Sequence, residues 1–238
     1  MKRRRLPTAL AVLVVVAAAC STTTSDADAG VDEPFTRVIV TTGAGDVVIE
    51  GTTRTPEWSA EASYSGEKPD FAPRVVNGEL IVDEACDGLS SCSVDYVLSV
   101  PEGTEVVART GSGDVTIVSI FAAVDVTTVS GVVFLNTVKG TITVETDSGD
   151  ILGTKLEAAR ATFNSNTGNV DVAFELIIAD LIVDTGTGNV TAQLAGGPYN
   201  LDASTGSGSV DFKIDDDDTA TNMIVLKTGS GDLIVYKQ

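Results

Sequence analysis

The sequence predicts an all-β fold: a single β-solenoid with GSGD-type repeats, about 18–23 residues per turn, and an N-terminal β-hairpin cap. Three observations favour this fold. A glycine motif recurs along the chain, apolar and polar residues alternate on both sides of each copy, and aromatic residues make up only 5% of the composition. Alternation with a period of two predicts short strands with one buried face. Stacking identical repeats would bury those faces as one continuous core.

The N-terminus, MKRRRLPTALAVLVVVAAAC, has the layout of an export signal. Four basic residues precede an apolar run that is short for a membrane-spanning helix, and small residues follow it. The three alanines before Cys20 resemble the bacterial lipobox, although Ala17 replaces the usual leucine. Residues 1–19 are therefore predicted to be a lipoprotein signal peptide and Cys20 the lipidated residue. An ordinary secretory signal with an incidental cysteine is the alternative.

Residues 20–34 are small and polar and show no apolar periodicity, so we expect a flexible tether. Residues 35–108 are predicted to form the N-terminal cap, which includes the first copy of the motif. Asn77-Gly78 lies between two alternating apolar runs and predicts a hairpin. Cys86 and Cys92 would form a disulfide in an oxidising compartment, because a redox pair favours CxxC spacing and a zinc site needs more ligands.

Residues 109–238 are predicted to be the regular solenoid repeats. From the second copy of the motif onward, the intervals between its glycines are 18, 18, 19, 20, 20 and 23 residues. The positions five and seven before each glycine are apolar, and the position three before carries a hydroxyl. The predicted corner glycines are Gly45, Gly113, Gly131, Gly149, Gly168, Gly188, Gly208 and Gly231.

A single Gly-Ser-Gly-Asp could suggest a phosphate-binding loop, but a motif repeated in every turn of the fold indicates a backbone corner. The residue after the glycine is usually Asp or Asn, as in Asp46, Asp114, Asp150 and Asp232, and is interrupted by Val132, Asn169, Asn189 and Ser209. Such residues bind turn amides in ordinary turns. Calcium bound between turns is the alternative, and so is weak cation binding by the acidic run Asp215, Asp216, Asp217 and Asp218.

The connections at the opposite corner lengthen along the chain, from VSIFAA to QLAGGPY and KIDDDDTATN. Variable loops of this kind can form a recognition surface, although tolerated loop drift is the simpler explanation.

The formal net charge is −19, and removal of the leader leaves 11 basic and 34 acidic residues, a net charge of −23. Such a surface repels nucleic acid and anionic lipid and suits cations or basic partners. There is no histidine, which excludes histidine-based catalysis. Asp171 and Asp211 could pair on an outward strand face, as in carbohydrate-cleaving enzymes, but alternation places them in solvent.

A strand ending in VPEG, followed by successive GSGD-type turns in an exported chain, resembles the bacterial putative-adhesin family of β-strand-repeat domains. The resemblance covers residues 35–238, implies a surface role, and supplies no catalytic residues. We therefore expect a non-catalytic envelope module without cofactor or metal. It would be a monomer, anchored through Cys20 to the cell membrane or outer membrane, facing the periplasm or the exterior, with an unidentified envelope ligand. The alternatives are a carbohydrate-active enzyme and a calcium-responsive module.

Overall fold

The computed structural model describes residues 23–70, 72–83, 86 and 91–238, and these residues form twenty β-strands and no helix. The all-β prediction is therefore confirmed. The strands are β1 (Thr23–Gly30), β2 (Arg37–Ala44), β3 (Val47–Thr52), β4 (Glu57–Tyr64), β5 (Arg74–Val76), β6 (Glu79–Val82), β7 (Cys92–Pro101), β8 (Glu105–Ser112), β9 (Val115–Val118), β10 (Val124–Ser130), β11 (Val133–Asn136), β12 (Lys139–Ser148), β13 (Ile151–Thr167), β14 (Val170–Phe174), β15 (Asp180–Thr187), β16 (Val190–Leu194), β17 (Asn200–Thr205), β18 (Val210–Phe212), β19 (Met223–Ser230) and β20 (Leu233–Lys237).

The strands pair as two layers of mainly parallel strands. In one layer the order is β5, β6, β2, β8, β10, β12, β13, β15, β19, β17. In the other it is β1, β4, β7, β3, β9, β11, β13, β14, β16, β20, β18. The two strands on either side of a glycine motif lie in different layers. We call each such strand pair, with its turn, a rung, and we also count β6 with β7, which pair with β2 and β3 and have no glycine motif, as the outermost of nine rungs.

The apolar columns of the sequence fill the space between the layers. Val126 in β10 pairs with Val144 in β12, and Val133 in β11 pairs with Ile151 in β13. All four side chains are fully buried. Most of the core is valine, isoleucine, leucine and alanine, as the low aromatic content predicts, and it continues through the predicted boundary at residue 109 as one cluster. The predicted cap and repeats therefore share a single core.

The rungs do not stack in chain order at the C-terminal end. Strands β15 and β16 pair with β19 and β20, whereas β17 and β18 lie outside them as the last rung. The connection 195–199 carries the chain past one rung position, and the connection 213–222 brings it back. The two long connections that the sequence analysis attributed to loop drift are therefore needed to reach over a rung.

The N-terminal end is covered by antiparallel strands. Asn77 and Gly78 have φ angles of 54° and 82° and join β5 to β6, as the hairpin prediction requires. Strand β4 runs antiparallel to β7, and β1 runs antiparallel to β4. The tether predicted over residues 20–34 is therefore wrong for Thr23–Gly30, because the free edge of β4 pairs with this polar segment along its whole length. In the described part of the chain, no helix is available to cross a membrane.

Candidate functional site

The predicted corner glycines form one column along the stack, which we call the glycine corner. A Cβ atom built on Gly188 would lie 1.9 Å from the carbonyl oxygen of Gly168, and one on Gly231 would lie 2.1 Å from that of Gly188. Each of the eight glycines has such a contact within 2.2 Å. Only glycine fits where consecutive backbones approach this closely. The corner is therefore a close backbone contact between neighbouring rungs, which is the structural role that its repetition predicts.

Six of the eight residues that follow a corner glycine accept a hydrogen bond from a backbone amide of the neighbouring rung, and we call this series of bonds the ladder. The amide of Asp114 donates to Asp46 Oδ1 at 2.8 Å, the amide of Asn189 donates to Asn169 Oδ1 at 2.9 Å, and the amide of Asp232 donates to Asn189 Oδ1 at 2.8 Å. At Val132 the side chain offers no acceptor, although its own amide donates to Asp114 Oδ1 at 2.7 Å. These side chains cap amides of the neighbouring rung rather than of their own turn.

Asp95 belongs to the same ladder and was missed in the sequence. Its Oδ1 accepts the amide of Asp46 at 2.8 Å, and the backbone of Val94 takes the glycine position beneath Gly45. The outermost rung thus continues the ladder without a glycine motif. The alternation of Val94, Asp95 and Tyr96 along β7 is the only sequence signal for it.

Cys86 and Cys92 are joined by a disulfide, with their Cα atoms 5.5 Å apart, as predicted. Cys92 is the first residue of β7, so the bond closes the connection between β6 and β7 in the outermost rung. Its position indicates a structural role, because the bond constrains the covered end of the stack. Cys20, the predicted lipidation site, lies outside the described residues.

Two carboxylates of the acidic run 215–218 bind the chain itself. Asp216 Oδ1 accepts the amide of Leu201 at 2.9 Å, and Asp217 Oδ1 accepts the amide and hydroxyl of Thr219 at 3.0 and 2.6 Å. The bonds from Thr219 lower the pKa of Asp217 below its usual range. Among the described residues, no group of three or more acidic, histidine or cysteine side chains is arranged to hold a metal ion.

The two long connections and the end of the chain enclose a cleft of about 540 Å³, which we call the C-terminal cleft. Its lining includes Gly196, Gly197 and Phe212, together with Lys213 and Lys237 and the carboxylates Asp215 and Asp217. Two lysines in one cleft stand out in a chain that has only 15 basic residues against 34 acidic ones. Because charges of both signs line the cleft, it suits a polar group or one that carries both charges.

The cleft is supported by Tyr199, whose hydroxyl donates to the carbonyl oxygen of Ala195 at 2.9 Å. Burial raises the pKa of this phenol, so it remains a neutral donor. Lys213 forms an exposed ion pair with Asp211 at 3.4 Å. The lengthening of these connections indicated a possible recognition surface but not its lysines, because Lys237 is brought to the cleft only by the reordered rungs.

Asp171 and Asp211 share one outward column, but two strands separate them. The register runs from Asp171 through Thr191 and Ile234 to Asp211. Three strand spacings of about 4.8 Å place the two residues roughly 14 Å apart. Carboxylate pairs that cleave glycosidic bonds lie about 5 to 9.5 Å apart. Burial raises the pKa of Asp171, but Asp211 is not close enough to act with it.

The comparison with family models identifies the chain. The model of the Toastrack DUF4097 family matches residues 33–236, which include every rung. The chain belongs to this family. The family resemblance stated from the sequence is thereby confirmed, and the match ends two residues before the chain does.

Solved structures resemble this chain at low sequence identity. A "putative adhesin" from Bacteroides fragilis NCTC 9343 is 14% identical, with a TM-score of 0.55, and the alignment covers 91% of this chain and 99% of the other. A "putative lipid binding protein" from Parabacteroides distasonis ATCC 8503 is 14% identical, with a TM-score of 0.48 over 90% and 96% of the chains. No curated protein matches the chain. At 14% identity, the likeness to the Bacteroides fragilis protein concerns the fold alone.

Proposed function

We propose that this Toastrack protein is a non-catalytic module of the bacterial cell envelope, anchored by a lipid on Cys20, in which a β-solenoid holds a binding end away from the membrane. The proposal rests on one observation: the strand that follows the anchor and the C-terminal cleft lie at opposite ends of the stack. Strand β1, which leads back to Cys20, lies at one edge of the stack, and the C-terminal cleft lies at the other. Nine rungs separated by about 4.8 Å place these ends roughly 38 Å apart.

Most of the repeated residues already have a structural role, which supports a scaffold function. The apolar columns are buried, the glycine corner is filled by backbone, and the ladder side chains bind amides. The side chains left for recognition are therefore those of the outward faces and the C-terminal cleft. A net charge of −23 without the leader also favours a stack that stands away from an anionic lipid surface.

The binding end is tested with the full chain carrying Cys20→Ser, screened against envelope glycans, basic proteins and calcium beside a glycan-hydrolysis assay. We expect saturable binding that Lys237→Ala weakens, because Lys237 lines the cleft. The matched control is Lys227→Ala, which removes an exposed lysine from an outward face of β19. Turnover that one acidic substitution abolishes would establish an enzyme and contradict the proposal, and a calcium-dependent rise in melting temperature would favour the cation-responsive alternative.

The anchor is tested separately by mass spectrometry of the membrane fraction. A peptide beginning at a diacyl-modified Cys20 is the expected product, since the leader ends in three alanines. A released mature protein that begins at another residue would contradict the anchor.

A further inference from the structure

The last rung, β17 with β18, leaves its core side chains open to solvent. Val210 is 41% exposed, whereas its equivalent in the neighbouring rung, Leu233, is 0% exposed. Phe212 is also only partly buried, although its partner Val235 is fully buried. At the N-terminal end β1, β4 and β5 cover the core, and the inward-facing Leu80 of β6 and Leu98 of β7 are only 2% and 0% exposed. The described part of the stack is thus closed at one end and open at the other.

The backbone edges of this rung are open as well. Strand β17 pairs only with β19, and β18 pairs only with β20, among the described residues. The acidic run covers the start of β17, where Tyr199 bridges to Asp216 and the amide of Leu201 donates to Asp216 Oδ1, and the edge is open from Asp202 onward. Exposed strand edges are sites at which another chain can add by pairing. Here two such edges, one from each layer, flank the exposed Val210.

We propose that this open rung binds the open rung of a second copy of the same chain, end to end and related by a two-fold axis. A single extended peptide could pair with β17 or with β18, but it would leave the other edge and Val210 uncovered. A second rung of the same cross-section covers both edges together. The inference deepens the proposed function, on which it rests for its biological setting, by naming the partner of the binding end.

The side chains of the rung complement each other in that arrangement. Two-fold symmetry about the corner places β17 antiparallel to β18 of the second copy, as an isologous contact requires. Ala203 and Phe212 lie at the same distance from the corner on the two strands. In the dimer, the small inward-facing side chain of Ala203 therefore lies opposite the large side chain of Phe212 of the other copy. The outward-facing Asp202 opposes Lys213, so the contact contains two opposite-charge pairs. Cross-strand pairs of this kind stabilise antiparallel strands.

The corner of the last rung is also suited to meeting a copy of itself. Ser209 stands where the next rung inward has Asp232, and its amide and hydroxyl donate to Asp232 Oδ1 at 2.8 and 2.9 Å. A carboxylate at this position would face the same carboxylate across the two-fold axis. Serine ends the ladder without charge, which removes that repulsion.

Sedimentation velocity of the full chain carrying Cys20→Ser tests the contact. We expect a reversible dimer, and we expect Asp202→Lys and Lys213→Asp each to raise its dissociation constant at least about tenfold, because two attractive pairs become repulsive. The double variant Asp202→Lys/Lys213→Asp should regain the dimer. Its matched control exchanges Asp184 and Lys227, which are paired neighbours on β15 and β19 inside the stack, and should dimerise as the parent does.

A chain that sediments as a monomer up to about 1 mM, as the sequence analysis expected, would overturn the inference. So would a dimer that the exchange variants leave unchanged. Neither result touches the proposed anchor, which the mass of the Cys20 peptide decides. Because the dimer would place its two N-terminal ends at opposite extremes, vesicles carrying the lipidated chain should cluster, and should stop clustering with Lys213→Asp. Dimerisation without clustering would overturn the bridging of two membranes.

Discussion

Replacing Gly188 by alanine should destabilise the stack severely. The new Cβ would lie 1.9 Å from the carbonyl oxygen of Gly168 and 2.5 Å from its carbonyl carbon, whereas real Cβ atoms essentially never approach other atoms within 3.0 Å. One rung must therefore move by about 1 Å in an interior that is close-packed. Two backbone hydrogen bonds hold the corner: the amide of Gly188 donates to the carbonyl oxygen of Ser230, and the amide of Gly168 donates to that of Thr187, both at 2.9 Å. These bonds cannot both survive that shift.

The size of the effect follows from two costs. Overpacking a tight site costs about 1–3 kcal/mol. The φ angle of Gly188 is +154°, and a left-handed conformation costs a residue with a Cβ about 1–2 kcal/mol. The sum is about 2–5 kcal/mol, which for a chain of this length lowers the melting temperature by about 4–20 °C.

Two control glycines separate the two costs in thermal denaturation followed by circular dichroism. A Cβ on Gly103 or on Gly66 would meet nothing within 4 Å, and only Gly66, at +98°, has a positive φ. Gly103→Ala should change stability by less than about 0.5 kcal/mol. Gly66→Ala should lose about 1–2 kcal/mol from backbone strain alone. A Gly188→Ala variant that melts within about 2 °C of Gly103→Ala would refute the close stacking of the corner.

Further predictions concern the covered end and the ladder. Cys92→Ser should cost about 2 kcal/mol or less, because the disulfide closes a short loop, and should raise proteolytic cleavage near β7 while the repeats keep their circular dichroism signal; global unfolding would contradict this. Bonds from Ser209 lower the pKa of Asp232 below 3.8, so they stabilise the fold above about pH 4, and this contribution is lost as the pH falls through the lowered pKa. Acid unfolding of Asp232→Ala should therefore depend less on pH in that range than acid unfolding of the parent. Asp114→Asn should melt close to the parent and Asp114→Ala below it, since Asn189 shows that an amide oxygen accepts the same bond; equal melting of the two variants would argue against the ladder.

The strands and the corner could be predicted from the sequence because each is specified locally. Alternation around a glycine fixes which residues face inward, and the same pattern recurs in every rung, as Val126 and Val144 illustrate. The order of the rungs could not be predicted for the same reason. Identical patterns do not distinguish neighbours, so the exchange of the last two rungs was visible only indirectly, in the interval of 23 residues before Gly231.

Other features depend on contacts that no local pattern records. Strand β1 consists of small and polar residues and is a strand because the edge of β4 pairs with it. The placement of Lys213 and Lys237 in one cleft depends on the exchanged rungs. Asp95 carries the ladder into a rung without a glycine motif. In each case the partner determines the structure, and the partner is distant in the sequence.

The most direct test of an anchored stack with a distal binding end is a height measurement on vesicles. Energy transfer to a membrane-surface dye is measured from the lipidated chain labelled at Glu67→Cys, beside the covered end, or at Ser207→Cys, on the last rung. The account predicts strong transfer from position 67 and weak transfer from position 207, since about eight spacings of roughly 4.8 Å separate the end rungs. Equal transfer from the two positions would contradict it, because the stack would then lie along the membrane.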